Sequence, residues 1–304
     1  MSSKRVAVII NPISGAGRRR RLARDRAERA AALMASRGLD GQVFVTERAG
    51  HARELAQVAL TQGASLVMAW GGDGTINEVG SALTFRDATL GVIPSGSGNG
   101  LARELRIPFD PARAFDVALD GRERRIDAGE LDGRLFFNVA GIGLDARVAH
   151  RFAANGPAHR GLRRYLAITA RELFTYEPDY HTIVTDGRTE RVRALLIAIA
   201  NARQYGNGAL IAPAAQLDDG RLDVVVIAAR SPLTALVQVP CLFAGRIATM
   251  RGVTLSTAVD IRVTSDQPVL YHVDGEPCVG ATTVVARPWP SALRVAVPSE
   301  ARLS

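Results

Sequence analysis

The sequence lacks the features that mark secreted, disulfide-rich or metal-cluster proteins. Its 304 residues include only two cysteines, Cys241 and Cys278, and a single lysine, Lys4. The cysteines lie far apart and in no metal-ligand spacing, which excludes a disulfide framework and fits a reducing cytoplasm. The chain therefore does not resemble a small secreted scaffold or a zinc-binding module.

Long hydrophobic runs are also missing. A membrane-spanning helix needs about 20 consecutive apolar residues. The most apolar stretch, PLTALVQVPCLFAG at 232–245, is interrupted by Gln238 and Pro240. The N-terminal sequence MSSKRVAVIINP has no apolar segment typical of a signal peptide. We therefore expect a cytoplasmic chain without a transmembrane segment.

Positive charge is what the chain has in excess. The formal net charge is +8 and the isoelectric point is about 10.4, and almost all of the basic charge is arginine. An arginine-rich coding bias explains this charge, and attraction to an anionic membrane, nucleotide or nucleic acid is the functional alternative. Charge alone does not choose between these explanations. The length is comfortable for two domains.

Residues 1–127 alternate between apolar strands and helices. This alternation is typical of βαβ units and predicts an α/β domain with a parallel sheet. The predicted strands are 5–12, 41–47, 65–70 and 88–94, and the predicted helices are 18–37, 51–60, 75–83 and 100–105.

After residue 127 the pattern changes to short strands separated by turn signals such as Asp186-Gly187 and Asp219-Gly220. We predict a mostly antiparallel, β-sandwich-like domain over residues 128–288, with helices near 160–175 and 232–248. A C-terminal strand within about residues 289–304 is expected to return to the first domain.

One stretch of the first domain carries the strongest chemical signal. In AWGGDGTINEV, residues 69–79, a strand leads into a helix through Gly71, Gly72, Asp73, Gly74 and Thr75. Glycines let several N–H groups converge, and the helix N-terminus attracts an anion such as phosphate. Asp73 would be unfavourable there unless a cation, most simply Mg²⁺, bridged it to the phosphates. Thr75 is expected to cap the helix or to contact a phosphate. The alternative is a tight turn with a capping aspartate.

Two other loops follow strands of the same predicted sheet. NPISGAGRRRR at 11–21 follows the first strand, and PSGSGNGLAREL at 94–105 follows the fourth. Ligands of open parallel sheets lie outside the carboxyl ends of the strands, so we expect the three loops to meet at one crevice. The sequence has no Walker A pattern, and GSGNG and GIGLD are only partial dinucleotide fingerprints in the wrong position.

Five motifs in order resemble the soluble diacylglycerol kinase catalytic family, which includes bacterial lipid kinases, sphingosine kinases and ceramide kinases. The motifs are NPISG, GGDGTINE, PSGSGNGLAR, DAGELDGRLFFNVAGIGLDARV and HVDGEP. GGDGT alone is shared with NAD kinases and phosphofructokinases, whereas the ordered set is much more specific to lipid kinases. The resemblance covers nearly the whole chain and implies an ATP- and Mg²⁺-dependent lipid kinase.

The resemblance also implies roles for individual residues. Asp73 and Asp127 match acidic residues that organise catalytic Mg²⁺ through water, and Glu276 matches the proposed catalytic base, with Asp274 beside it. The positions that match ATP contacts of the family are Asn11, Ser14, Gly15, Thr46, Gly71, Gly72, Asp73, Gly74, Thr75, Ile76, Asn77, Gly96 and Ser97.

A second metal site is implied in AAQLDDGRLD, residues 214–223. This segment resembles a structural Mg²⁺ loop in which Asp219 gives its side chain and Gln216 and Arg221 give main-chain carbonyls. Judged from the residues alone, a plain Asp-Gly hairpin turn is the alternative.

Glu276 also has a rationale in its chemistry. Phosphoryl transfer needs a base that orients a hydroxyl, and a loop carboxylate of the second domain could do so across an interdomain cleft. Asp274 lies two residues before Glu276, so on an extended strand the two side chains would share a face. The alternative is an Asp-Gly turn with a surface glutamate.

One position departs from the pattern of many bacterial diacylglycerol kinases. Gly100 stands where they have an aspartate, as in the sphingosine-kinase variant of the motif. Diacylglycerol, a sphingoid base and ceramide therefore all stay open as acceptors. The other readings are an NAD kinase-like enzyme and a nucleotide-binding regulator without transferase activity.

A lipid kinase must reach a membrane surface, so we expect peripheral contact at its inner face and no nucleic acid partner. HRGLRRYLAITARELF at 159–174 would form a basic amphipathic helix able to lie on an anionic surface. Packing on the β domain with a solvated arginine face is the alternative. The stretch 232–245 is a second candidate for lipid contact, and a homodimer stays open.

Overall fold

The structure, a computed structural model, describes residues 5–12, 19–154 and 162–299, and the side chains of 19–21 and 162–166 lie outside the description. The chain divides into two compact units, one formed by residues 1–126 with 291–304 and the other by residues 127–290. The sequence places the boundaries at 127 and about 289.

The first unit alternates strands and helices. Helix α5, which the sequence analysis does not predict, begins with a side-chain cap because the Asp110 carboxylate accepts the Arg113 N–H. The elements are β1 (Val6–Ile10), α1 (Arg19–Ser36), β2 (Gly41–Val45), α2 (His51–Thr61), β3 (Leu66–Gly71), α3 (Asp73–Leu83), β4 (Thr89–Pro94), α4 (Gly100–Glu104), α5 (Pro111–Asp120) and β5 (Arg122–Leu131), which continues into the second unit.

The sheet of this unit is parallel, as predicted. β1 lies between β2 and β3, with Val8 opposite Val43 on one side and Met68 on the other. β4 follows β3 and pairs on its far side with the last strand, β15 (Thr283–Val297). Every residue of β1 and β3 is buried, as expected for strands covered on both faces. The carboxyl ends of β1, β3 and β4 therefore meet at one edge.

The second unit is mostly antiparallel, which also confirms the prediction. Its further elements are β6 (Arg134–Phe136), β7 (Val139–Gly143), α6 (Leu144–Ala154), α7 (Leu162–Thr175), β8 (Tyr180–Thr185), β9 (Arg188–Ala200), β10 (Leu222–Ala228), α8 (Pro232–Phe243), a 3-10 turn at Ile247–Thr249, β11 (Val253–Ala258), β12 (Ile261–Ser265), β13 (Leu270–Val273) and β14 (Glu276–Val279).

The long strand β9 belongs to two groups of strands. Residues 188–193 pair with β8, and the following residues pair with β7 and β10. β12 and β15 continue from β8, and β13 and β14 continue from β7. Apolar side chains of both groups, among them Ile183, Ile197 and Tyr271, form one buried cluster. This packing of two strand groups is the sandwich-like architecture that the sequence predicts.

Several elements differ from the sequence prediction. α6 and β11 are not predicted, and the C-terminal strand predicted within about residues 289–304 is part of a longer strand, β15, which begins at Thr283. Its residues 283–286 pair with β12, whereas Arg294 and Val295 pair with β4. In the described part of α7, Leu173 is buried and Ile168 packs on the same apolar cluster, which favours a helix packed on the β domain. Within the described residues, no helix is both long and apolar enough to cross a bilayer.

Candidate active site

The first and second loops of the parallel sheet are joined by a side-chain hydrogen bond. Asn11, directly after β1, donates from Nδ2 to the Thr75 hydroxyl at 2.9 Å. Its backbone N–H donates to the Trp70 carbonyl at the end of β3. Thr75 lies in the first turn of α3 and is only 4% exposed. Asn11 therefore fixes the exit of β1 against the start of α3.

Asp73 joins the second loop to the third. Its Oδ2 accepts the Asn99 N–H at 2.8 Å, and its Oδ1 accepts the Gly100 N–H at 2.7 Å. Asn99 in turn clasps Gly96, because its side chain accepts the Gly96 N–H and donates to the Gly96 carbonyl. The aspartate thus satisfies backbone donors at the start of α4, where a helix has no internal acceptors.

The second and third loops also touch through their backbones. A Cβ added at Gly96 would lie 2.6 Å from the Gly72 Cα, and one added at Gly72 would lie 3.2 Å from the Gly96 Cα. Real Cβ atoms essentially never come within 3.0 Å of a backbone atom, so position 96 requires glycine at this spacing, whereas a Cβ at position 72 would push the facing loop away by a few tenths of an ångström. The predicted meeting of three loops at the carboxyl edge is therefore present within the first unit.

Two details of the GGDGT prediction are wrong. Helix α3 begins at Asp73 rather than at Thr75, and its N-cap is Gly72, with no capping side chain. Of the two roles predicted for Thr75, the cap is wrong, because its buried hydroxyl accepts from Asn11 inside the first turn, and contact with a phosphate stays a prediction. The alternative of a capping aspartate applies to a different helix, since Asp73 caps α4.

The other predicted nucleotide contacts are distributed around this edge. Thr46 is buried after β2 and donates its N–H to the Ile10 carbonyl. Ile76 is buried in α3, and Asn77 is half-buried there and accepts from Ser81. Ser97 is exposed in the third loop. Ser14 and Gly15 lie outside the described residues.

Asp127 lies in the second unit and braces the predicted metal loop. Asp127 is only 1% exposed, and its carboxylate accepts the Gly220 N–H at 2.7 Å. Its backbone N–H donates to the Leu217 carbonyl, and its own carbonyl accepts from Asn201. The aspartate and the loop that resembles a Mg²⁺ site are therefore one hydrogen-bonded assembly.

The predicted metal loop is not a two-residue hairpin. Residues 201–221 separate β9 from β10, and only Gly220 of the Asp219-Gly220 pair has a positive φ, of 71°. Asp219 is exposed and accepts the Arg221 N–H at 3.0 Å, and Gln216 is exposed. Burial, together with the charge of Asp219, raises the pKa of Asp223 to about 6.

The loop offers donors of the kind that Mg²⁺ accepts. The exposed carboxylate of Asp219 and main-chain carbonyls are hard oxygen ligands, which Mg²⁺ prefers. Among the described residues, no group of three or more His, Cys, Asp or Glu side chains could hold a metal. A metal here would therefore depend on main-chain oxygens.

Asp274 does not lie on an extended strand, so the prediction that it shares a face with Glu276 is wrong. Asp274 and Gly275 have φ values of 48° and 87° and form the two-residue turn between β13 and β14. The Asp274 carboxylate accepts three consecutive N–H groups at 2.9–3.1 Å, from Phe137, Asn138 and Val139. This side chain anchors the turn to the strand that begins at Val139.

Glu276 is exposed as the first residue of β14. A buried polar network lies next to its turn: the Gly275 N–H donates to Nδ1 of His272 at 3.3 Å, and Nε2 of His272 lies 3.2 Å from the Asp145 carboxylate. Tyr205 donates to the same Asp145 oxygen at 2.8 Å. With Nδ1 accepting, the His272 proton resides on Nε2 and points at Asp145.

The comparisons with known proteins cover both units. The model of the diacylglycerol kinase catalytic domain matches residues 5–131, and that of the YegS C-terminal NAD kinase beta sandwich-like domain matches residues 138–297. A diacylglycerol kinase of Mycobacterium tuberculosis (strain ATCC 25618 / H37Rv) is 34% identical over 266 residues, 85% of this chain and 84% of the relative. This chain belongs to the diacylglycerol kinase family.

Two further matches agree. A protein of Pseudomonas fluorescens named "Probable lipid kinase YegS-like" is 32% identical over 269 residues, 88% of each chain. The crystal structure of a diacylglycerol kinase from Bacillus anthracis str. Sterne shares the fold, with a TM-score of 0.72, 20% identity and 99% of each chain covered. As a member of the diacylglycerol kinase family, the chain is a kinase, a phosphotransferase.

The structure adds residues that the sequence analysis misses in this diacylglycerol kinase family member. Asn99 clasps the third loop, and Arg26 of α1 donates to the Asn11 carbonyl while its guanidinium lies over the Trp70 ring. Asp145 and His272 form the network beside the Glu276 turn. Asp145 and His272 occur inside the quoted motifs GIGLDARV and HVDGEP, so the motifs signal their positions but not their contacts.

Proposed function

We propose that the chain is an ATP- and Mg²⁺-dependent lipid kinase that transfers the γ-phosphate to a lipid hydroxyl. The observation that carries this proposal is the family match over both units, combined with glycine loops that Asp73 ties together at the carboxyl edge of the parallel sheet. The proposed acceptors are diacylglycerol, a sphingoid base or a ceramide-like lipid.

The nucleotide is assigned to the loop edge of the first unit. The N-cap of α3 is Gly72, and the helix directs its first N–H groups and the positive end of its dipole toward the carboxyl edge of the sheet. Because Gly72 and Gly96 have no Cβ, the two loops touch, and their backbone N–H groups are brought to the same edge, where phosphate groups could bind. Asn11 and Asn99 hold these loops in place.

Asp73 suits a position close to Mg²⁺. Its contacts with the N–H groups of Asn99 and Gly100 stabilise the ionised carboxylate, which is the form that would bind Mg²⁺ or metal-bound water. Bound Mg²⁺ would neutralise phosphate charge during transfer. At position 100 the chain supplies a backbone N–H to Asp73 rather than the family's aspartate side chain.

Glu276 is proposed to orient the acceptor hydroxyl and to take its proton. It is exposed, and the turn before it is anchored by Asp274 on one side and His272 on the other. A base held on a rigid turn loses little freedom when it meets its substrate, which supports transfer. Asp274 is proposed to position Glu276, because its carboxylate is committed to three backbone donors.

The NAD kinase-like reading has a specific observation in its favour, since the model matching residues 138–297 describes an NAD kinase beta sandwich-like domain. The relatives named above are diacylglycerol and lipid kinases, which supports a lipid acceptor more strongly. A regulator without transferase activity is the third reading.

The decisive experiment measures transfer of labelled γ-phosphate from ATP-Mg²⁺ to a panel of diacylglycerol, monoacylglycerol, sphingosine, ceramide and NAD. Wild type should label a lipid, and Glu276→Gln should lower the rate by at least about 100-fold, the usual scale for a general base. Glu190→Gln, an exposed glutamate of β9, is the matched control and should keep full activity. Transfer of label to NAD alone would contradict the proposal that the acceptor is a lipid.

A further inference from the structure

Helix α8 turns an apolar face outward. Its 12 residues include no charged side chain, and none of them is buried. Five of its apolar side chains are exposed, by between 38% at Val239 and 78% at Val237; the five are Leu233, Leu236, Val237, Val239 and Phe243. A helix on the surface of a globular domain ordinarily turns polar side chains to solvent. This helix does the reverse.

The opposite face of α8 is fixed to the second unit. Ala235 packs on a buried cluster that includes Leu173 and Leu195, and Leu242 packs on another that includes Ile211. At 3.6 residues per turn, the exposed side chains of Leu233 and Val237 lie opposite these anchors, and those of Leu236 and Phe243 lie beside them on one flank of the helix. The exposed stripe is therefore set by packing.

The surroundings of α8 carry charge of one sign. Between Asp223 and Asp260 the sequence has no acidic residue and three arginines, Arg230, Arg246 and Arg251. All three arginines are exposed. A Cβ added at Gly252 would lie 2.7 Å from Nε of Arg230, so Arg230 lies along the backbone next to Arg251. An apolar stripe is thus flanked by cations at both ends of the helix.

We propose that α8 docks this enzyme on an anionic bilayer surface. The apolar stripe enters the boundary between headgroups and acyl chains, and the three arginines meet lipid phosphates. A helix of this length is about 18 Å long, against a hydrocarbon core of about 30 Å, so it lies in the interface. The inference rests on the proposed function, in which the acceptor is a membrane lipid.

A bilayer fits this face better than a second copy of the chain. Two copies meeting through α8 would bring their arginines towards one another, and like charges oppose such contact. Anionic headgroups instead attract Arg230, Arg246 and Arg251 while the acyl region accepts the apolar side chains. A bilayer thus contacts both the apolar stripe and the arginines.

The test is sedimentation of the full chain with phosphatidylcholine vesicles, with and without phosphatidylglycerol, in the absence of ATP. Wild type should bind the vesicles that contain phosphatidylglycerol. Val237→Glu should weaken this binding about tenfold, because it places a carboxylate in the apolar stripe. Arg246→Gln should weaken it about fivefold on anionic vesicles only. Val58→Glu on α2, at a valine that is 42% exposed, is the matched control and should bind like wild type.

A second variant reports insertion directly. In Val237→Trp, the fluorescence of the introduced tryptophan should shift to the blue when anionic vesicles are added, and brominated lipid should quench it. The fluorescence of the introduced tryptophan in Val58→Trp should show neither change. The absence of shift and quenching would overturn the proposal. So would equal vesicle binding by wild type and Val237→Glu, or a wild-type dimer that Val237→Glu converts to monomer, which would assign α8 to a second copy.

Docking and catalysis can fail separately. Vesicle binding without transfer to any lipid would leave the docking proposal standing and remove the proposed function. Transfer to a dispersed short-chain diacylglycerol, with vesicle binding unchanged in Val237→Glu, would remove docking alone. If both proposals hold, Val237→Glu should lose activity on vesicle-embedded acceptor and keep it on the dispersed acceptor.

Discussion

Asp73 in the first unit and Asp274 in the second use the same chemistry in different surroundings. Each carboxylate accepts consecutive backbone N–H groups of another segment, two for Asp73 and three for Asp274. Around Asp73 the neighbouring loops touch through the backbones of Gly72 and Gly96. Beside the Asp274 turn, in contrast, the support is a buried side-chain network centred on His272.

The difference agrees with the roles proposed above. In the first region the loop backbones touch beside the N-terminus of α3, where phosphate is proposed to bind. In the second region an anchored turn precedes the exposed Glu276, the proposed general base. In both regions the aspartate holds the loop, so its substitution should act first on stability or geometry.

The largest effect on stability is expected from Asp274→Asn. Asparagine tolerates the left-handed φ of this turn, so the substitution tests the carboxylate and not the turn. Replacing one oxygen by an amide leaves at least one of three N–H groups facing a donor, and we expect a loss of about 2–3 kcal/mol in the free energy of unfolding. Urea unfolding measures it.

Asp186→Asn is the matched control for Asp274→Asn. Asp186 opens the same two-residue Asp-Gly turn between β8 and β9, but it is exposed and accepts only the Val259 and Asp260 N–H groups and an Arg221 contact. Asp186→Asn should therefore lose clearly less of the free energy of unfolding than Asp274→Asn. Unchanged stability of Asp274→Asn with abolished transfer would contradict the holding role and make Asp274 a reacting group.

Gly96→Ala should disturb the first region. The new Cβ would lie 2.6 Å from the Gly72 Cα and 3.0 Å from Oδ1 of Asn99, so the loop backbones must separate. Such overpacking costs about 1–3 kcal/mol. Because the loops are proposed to bind phosphate, ATP-Mg²⁺ affinity should also fall about tenfold, which is about 1.4 kcal/mol. Calorimetric titration with ATP-Mg²⁺ measures it.

Gly91→Ala separates packing from binding in that experiment. Gly91 lies inside β4, where an added Cβ would meet the Ala118 side chain of α5 at 2.7 Å. The variant should lose stability and keep its nucleotide affinity. Equal losses of affinity in both variants would mean that the glycine contact at the loops has no specific part in nucleotide binding.

Tyr205→Phe should have a smaller effect, in the network beside the Glu276 turn. It removes one hydrogen bond of 2.8 Å to Asp145, worth about 1 kcal/mol of stability. If the network positions Glu276, kcat should fall while KM for ATP stays unchanged, and a purely structural role would move neither. Tyr180→Phe, at a tyrosine that is 56% exposed, is the control.

Much of the fold could be predicted because it follows from patterns of a few residues. Apolar strands that alternate with helices specify the parallel sheet, and three Asp-Gly turns, at 132, 186 and 274, each join paired antiparallel strands. The same dipeptide at 219 is not a hairpin turn, because the chain leaves β9 at Ala200 and takes a long loop. The Asp-Gly dipeptide alone does not show how many residues separate the two strands around it.

The sequence identifies candidate site residues but not the contacts that they make. The motifs identify Asp73, Asp274 and Glu276, but they do not say that Asp73 caps α4 or that Asp274 binds the segment 137–139, since these partners are 26 and 135–137 residues away in sequence. His272 and Asp145 meet across a separation of 127 residues for the same reason. Tertiary pairing supplied these contacts.

The smallest expected effect is the pH dependence of the stability that the Asp186 carboxylate contributes. The N–H groups of Asp260 and Val259 hold the pKa of Asp186 below its usual range. A lowered folded-state pKa stabilises the fold above the unfolded value of about 3.9, and the stabilisation disappears as the pH falls through the folded pKa. The stability difference between wild type and Asp186→Asn should therefore be present at neutral pH and shrink in acid. Urea unfolding across this range checks it, and a difference that stays constant into acid would show that the turn backbone, not the carboxylate charge, carries the effect.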